Sequence, residues 1–348
     1  MRTIRSLFIL LCFSAAGLGV VACGDDEADT PTLVVITHGS FDISRDLLDQ
    51  FEREHEVAVD IRKGGDANEV VNRALLNAGN PEGDVLYGVD NLTLARTAGA
   101  GLFEAYDSPR RDAIPSEIRA EIGDSREVTP IDYGYVALNF DREAGTPPAR
   151  LEDLVAPAWR GKLVVEDPAT SSPGLQFLAT TVAHFGETGA YTWRDYWREL
   201  RANDVLVVDG WDAAYNTHFS RNGGDRPLVV SYTTSPAAEV FFSEGELDEP
   251  PTSNVVPAGL KLFRQVEAAG VLRGTTQAEL ARAFIDFLLT DEVQRQIPET
   301  MFVYPVIPET ETPEWWRWAE VDVEPAPLYV DATTVNRWVR EWTDIMRR

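Results

Sequence analysis

Cysteine is almost missing from this sequence. Its 348 residues include two, Cys12 and Cys23, both near the start. The body of the chain therefore has no disulfide framework, no cysteine nucleophile and no thiolate metal site. Histidine is nearly as scarce. His38, His55, His184 and His218 lie far apart, without HxxxH or HExxH spacing. No preformed metal centre is expected, because zinc sites need several N or S ligands. Basic residues are few, 31 Lys and Arg against 57 Asp and Glu, for a formal charge of −26. No basic stripe is present, so nucleic acid is excluded as a partner. Solubility accounts for most of such a charge, but its field also favours a cationic ligand. No internal repeat follows the N-terminal segment, which argues against a structural or adhesive role.

The N-terminus carries an export pattern. Arg2 and Arg5 precede an apolar run from Leu7 to Ala22, which ends in Val20-Val21-Ala22-Cys23. A charged start, an apolar stretch and small residues before a cleavage point make a secretory signal. The run is roughly 16 residues, short of the ~20 that span a bilayer as a helix. Cysteine after Val-Val-Ala matches the acylation box of bacterial lipoproteins. The expectation is a signal peptide over 1–22, lipidation at Cys23 and a polar tether over 23–32. This places the body in the periplasm or at the cell surface, anchored to the membrane by lipid.

The body exceeds what one simple core supports and suits two lobes. Leu33 to Thr37 reads as a strand, Asp42 to Glu54 as an amphipathic helix and Val57 to Ile61 as a second strand. Glu69 to Asn77 is helical, and Asp84 to Tyr87 is a third strand. This alternation predicts a parallel sheet covered by helices, with ligands at the strands' carboxyl ends. A second set of strands follows: Tyr133–Phe140, Leu163–Glu166, Val205–Val208 and Leu228–Tyr232. The last helix is expected from about Ala332 to Arg347. A cleft between the lobes is the expected binding place.

Two segments repeat one device. Asp167 to Gly174 follows a strand and leads into an apolar helix, with Ser172 as N-cap and Pro173 at the first helical position. Ser231-Tyr232-Thr233-Thr234-Ser235-Pro236 does the same. Helix starts present unpaired N–H groups and a positive dipole end to an anion such as phosphate. Trp211 follows a glycine at a strand end, suited to stacking on a flat or cationic ring. Tyr215, Tyr304 and the Trp315, Trp316, Trp318 cluster read as core.

These residues, with Thr37-His38-Gly39-Ser40-Phe41, Val89-Asp90-Asn91, Asp132-Tyr133-Gly134-Tyr135 and Tyr304-Pro305-Val306, occur in one order. In that order the chain resembles the periplasmic thiamine-binding proteins of ABC importers, from about Leu33 to the last helix. The resemblance implies an α/β, two-lobed type II periplasmic-binding-protein fold with the ligand cleft between lobes. It also implies lobe 1 over 33–130 and 255–348, and lobe 2 over 131–254. Ligand contacts carried over residue by residue fall on His38, Asp66, Ala67, Ser171, Ser172, Trp211, Tyr232, Thr233, Thr234, Ser235 and Phe302. Three of these depart from the family: His38 stands in place of Tyr, Ala67 of Gly and Phe302 of Trp.

The expected function is capture of thiamine, or its mono- or diphosphate, and delivery to an ABC permease. A monomer with no cofactor and no metal is expected. A thiaminase of this fold would need a cysteine nucleophile, which the body lacks. A polyamine or ferric iron is the alternative cargo, the latter through Tyr133, Tyr135 and Tyr232.

Overall fold

The computed structural model describes residues 30–97, 99–308, 310–320 and 328–347. The expected signal and Cys23 lie outside the described residues.

The first lobe starts with β1 (Thr32–Thr37), α1 (Arg45–His55), β2 (Ala58–Lys63), α2 (Ala67–Leu76), β3 (Val85–Asp90), α3 (Asn91–Thr97) and α4 (Ser116–Glu121). β1 alternates buried and half-buried residues, whereas β3 is buried on both faces, as a central parallel strand must be. β1 pairs in parallel with both β2 and β3. Ser44 caps α1 through its hydroxyl, which accepts from Leu47 N.

β4 (Thr129–Asp141) is the member that both halves share. The remaining elements are β5 (Leu163–Glu166), α5 (Ser172–Phe185), α6 (Trp193–Ala202), β6 (Leu206–Val208), β7 (Leu228–Tyr232), α7 (Ser235–Phe242), β8 (Thr252–Val255), β9 (Arg264–Val271), α8 (Ala278–Leu288), α9 (Asp291–Thr300), β10 (Tyr304–Pro305) and α10 (Ala332–Arg347). The strands run β2-β1-β3-β9-β4-β7-β5-β6, with β8 and β10 also paired to β4. Residues Thr129 to Tyr135 of β4 pair with β9, and Val136 to Phe140 pair with β7. One strand thus passes from one sheet into the other.

Two large apolar clusters lie on either side of this switch. One gathers Leu33, Phe51, Val71, Val89, Val271 and Phe284, and the other Leu138, Leu178, Trp193, Trp197 and Val230. Two observations bear on the expected lobe boundaries. The change of partner falls at Tyr135–Val136, inside β4 and not at its start. The last helix buries Val335, Trp338, Trp342 and Ile345 in the second cluster. The expected range 255–348 put that helix in lobe 1; its apolar stripe instead covers α6, where Trp342 meets Trp197 edge-on at 5.5 Å.

Trp342→Ala should destabilise the protein by about 3–5 kcal/mol, read by urea unfolding. A loss under ~0.5 kcal/mol, typical of a surface site, would contradict the placement of this helix in the core.

Candidate functional site

The segments that follow β5 and β6 meet the start of α2 across the cleft, and Asp66 makes the junction. It is the N-cap of α2, where its Oδ1 accepts from Ala67 N at 2.7 Å. The same oxygen accepts from Ser172 N at 3.2 Å, and Oδ2 accepts from Trp211 N at 3.0 Å. Gly210 permits this approach, since a Cβ there would stand 3.0 Å from Asp66 Oδ2. Neighbouring bonds tie the same surfaces: Asn68 Nδ2 donates to the carbonyls of Pro168 and Ser171, and Glu69 N to that of Thr170. An anion does sit at the start of α5, as expected for a helix N-terminus, and that anion is Asp66 itself.

The cap assignment needs a correction of one residue. Ser171, not Ser172, has the extended backbone of the N-cap, and Pro173 is the second helical residue. Ser172 is freed from capping, and its hydroxyl donates to Asp90 Oδ2 at 2.5 Å. Asp90 in turn accepts from Leu92 N and Thr93 N at the start of α3. At α7 the N-cap is Thr234, with Ser235 first and Pro236 second in the helix.

Trp211 lies at the head of a wide π-helical turn, Ala213–His218. Such turns are rare and recur at functional sites. Tyr215 stacks on the indole, with centroids 5.1 Å apart and planes at 14°. The indole Nε1 donates to Ser231 Oγ at 2.7 Å, and Ser231 Oγ lies 2.8 Å from Ser235 Oγ. Tyr232 lays its ring over Gly134, where a Cβ would meet Cδ1 at 2.9 Å. Thr233 is fully buried, yet its hydroxyl has no partner among the described residues.

The cleft floor is a chain of buried acids that no sequence motif marked. Tyr87 hydroxyl contacts Asp132 Oδ2 and, at 2.8 Å, Glu267 Oε2. A phenol has one proton, so one of the carboxyls must supply the other hydrogen. Burial, with Glu267 nearby, pushes Asp132 well above the usual carboxylate range. Asp132 is therefore the neutral donor to the Tyr87 oxygen. Glu267 remains ionised: burial opposes its charge, but His38 at 3.2 Å holds its pKa down. Burial likewise opposes charge on His38, and Glu267 raises its pKa on balance. His38 Nδ1 accepts from Ser40 N, which fixes the ring. A Cβ on Gly88 would reach His38 Cδ2 at 2.9 Å and the Ala67 Cβ at 3.8 Å, which puts these two expected residues side by side.

The structure thus brings Asp66, Ala67, Ser171, Ser172 and Trp211 together, with Tyr232 to Ser235 beside Trp211 and His38 beside Ala67. Phe302 stands apart in its contacts. At a φ of 53°, it packs on Phe241, Phe242 and Trp315, at the end of α7 opposite Ser235. Glu166, Glu267, Asp132 and Tyr87 join the site unannounced.

The description of the bacterial extracellular solute-binding protein family matches residues 80–323. The chain belongs to that family. Among its relatives, the thiamine-binding periplasmic protein of Brucella suis is 29% identical over 352 residues, covering 97% of each chain. Iron uptake protein A2 of Synechocystis is 29% identical over 256 residues, 70% of each chain. A solved periplasmic thiamin binding protein superposes with a TM-score of 0.77 at 25% identity, covering 92% of this chain and 97% of that one. The two-lobed periplasmic-binding-protein fold follows, and with it a solute-binding role outside the cytoplasm.

Asp66→Ala removes an acceptor shared by three backbone N–H groups. Amide hydrogen exchange at Ser172 and Trp211 should accelerate, with a stability loss of about 0.5–2 kcal/mol from the lost cap. Unchanged protection at both amides would contradict the bridge.

Proposed function

We propose that this protein captures thiamine, or a thiamine phosphate, and hands it to the permease of an ABC importer, tethered to the membrane by lipid on Cys23. The observation that carries the ligand is the meeting of Asp66, Trp211 and Tyr232 at one point of the cleft. Asp66 spends three acceptor positions on backbone N–H groups, and a carboxylate has about four. The remaining one suits the exocyclic amine of an aminopyrimidine, while its charge offsets a thiazolium. Tyr215 covers one face of Trp211, and the opposite face is the one offered to a ring. Stacking there gains from the positive charge of the thiazolium. Tyr232 adds a second ring, and its phenol stays protonated because burial raises its pKa well above the ordinary value. Ala67, Ser171 and Ser172 form the wall beside Asp66. Thr233, Thr234 and Ser235 supply hydroxyls at the α7 start, with Thr233 Oγ1 unpartnered. The roles of His38 and Phe302 are indirect: His38 keeps Glu267 charged, and Phe302 braces the far end of α7. The thiamine-binding relatives and the solved thiamin-binding neighbour support the same reading.

Iron is the second reading, favoured by the Synechocystis relative. Electrostatics oppose it here. The guanidinium of Arg264 stands 5.0 Å from the Tyr133 ring, and its Nε donates to Tyr135 Oη at 3.2 Å. A fixed cation in contact with two of the three candidate tyrosines repels a ferric ion. The third, Tyr232, is also committed, its hydroxyl donating to Gln265 Oε1 at 3.3 Å. The thiaminase route lacks its nucleophile, since no cysteine follows Cys23.

Titration calorimetry of the mature protein with thiamine, its monophosphate and its diphosphate should show binding of about −8 kcal/mol or stronger. Trp211→Ala should weaken it by about 1–3 kcal/mol. No heat with any of the three compounds would refute the ligand, and an unchanged affinity in the variant would refute the stacking role.

A further inference from the structure

Glu166 is a buried acid near this site to which the fold gives no counter-charge among the described residues. It is the last residue of β5 and is 1% exposed, yet among the described residues no other residue bonds either carboxylate oxygen, and only its own backbone N–H eases the charge. Buried carboxylates in stable folds are paired or bonded, because the loss of water is otherwise uncompensated. Neighbouring buried acids obey this: Asp90 takes Ser172 and two amides, and Glu267 takes His38 and Tyr87.

Strand geometry fixes which way Glu166 points. Side chains alternate along β5, so Glu166 shares a face with Val164 and not with Val165. Val164 belongs to the small cluster of Ala214, Tyr215, Phe219 and Val229, against which Trp211 packs. Across the sheet Glu166 pairs with Val208, a member of the same cluster. On the other side Val164 pairs with Val229, and two residues further along come Glu166 and Ser231. Ser231 is the residue that accepts from the Trp211 indole. Glu166 therefore lies at the carboxyl edge of three parallel strands, beside Ser231 on the face that Trp211 covers. In open α/β sheets this edge is where ligands bind. Asp66 approaches the same place from the other lobe, near enough for its charge to add to the effect of burial in raising the Glu166 pKa.

We propose that Glu166 is a ligand-binding residue of this cleft, accepting an N–H or hydroxyl donor of a bound cation beside Trp211. The inference rests on the cation-binding reading above and adds a residue to that site. A cation with a donor group satisfies the acid, and its charge favours the ionised form that burial opposes. An apolar strand end, continuing the pattern of Val164, would serve the fold as well, so the acid is explained by what it binds.

The test compares wild type with Glu166→Gln and Glu166→Leu by calorimetry against thiamine and thiamine monophosphate, with thermal melts of all three proteins. Both variants should melt at or above the wild-type temperature, since each removes an unpartnered buried acid. Their affinity for thiamine should fall tenfold or more. If Glu166→Gln folds and binds both compounds within twofold of wild type, Glu166 is not a ligand residue. If wild type gives no heat with thiamine, the thiamine reading itself fails and takes this inference with it. The near-isosteric Glu166→Gln keeps the test decisive should Glu166→Leu fail to fold.

Discussion

One carboxylate joins the two halves of this protein. Asp66 caps a helix of its own lobe and accepts backbone hydrogens from Ser172 and Trp211 of the other. Everything around it depends on that arrangement. Gly210 has no side chain so that the strand end can approach. The α5 start spends its dipole on Asp66. Trp211 is held at its amide by Asp66 and at its indole by Ser231, which fixes the ring in the cleft wall. A charged group with three donors costs little to keep half-buried; without them it would have to stay in water.

Beneath that bridge, charge is organised by proton placement. Asp132 is neutral, Tyr87 passes a hydrogen bond from it to Glu267, and His38 closes the chain as a cation. This floor is electrically balanced. The acids left over are Asp66, Asp90 and Glu166, and burial raises the last two. The Asp66 carboxylate and the stacked aromatics are complementary to a cationic ring, and the negative field of the whole protein draws such a ligand in.

The sequence made much of the scaffold readable, because periodicity and helix starts are local. The alternation from Leu33 to Tyr87 and the two Ser-Pro helix starts lie where their patterns indicate, apart from the one-residue shifts of the caps to Ser171 and Thr234. Pro is tolerated in the first turn generally, so its position does not fix the cap. The passage of β4 between sheets leaves no local trace, because a strand's apolar residues do not name their partner. The last helix was amphipathic in either lobe, and only packing decides that Trp342 meets Trp197. Within the site, Asp66 and Trp211 carried recognisable chemistry. The actual partners of Asp66 are backbone amides, which every non-proline residue has. Phe302 was carried over as a ligand contact, but its aromatic neighbours Phe241, Phe242 and Trp315 come from distant segments. Glu166 escaped notice because an acid ending a short strand reads as the first residue of a solvated loop.

The most direct test of the account is a crystal structure of the mature protein grown with thiamine. The account places the ligand's rings against Trp211 and Tyr232, with its amine on a carboxylate of the pair Asp66 and Glu166. A ligand bound elsewhere, or rings that leave Trp211 and both carboxylates untouched, would contradict it.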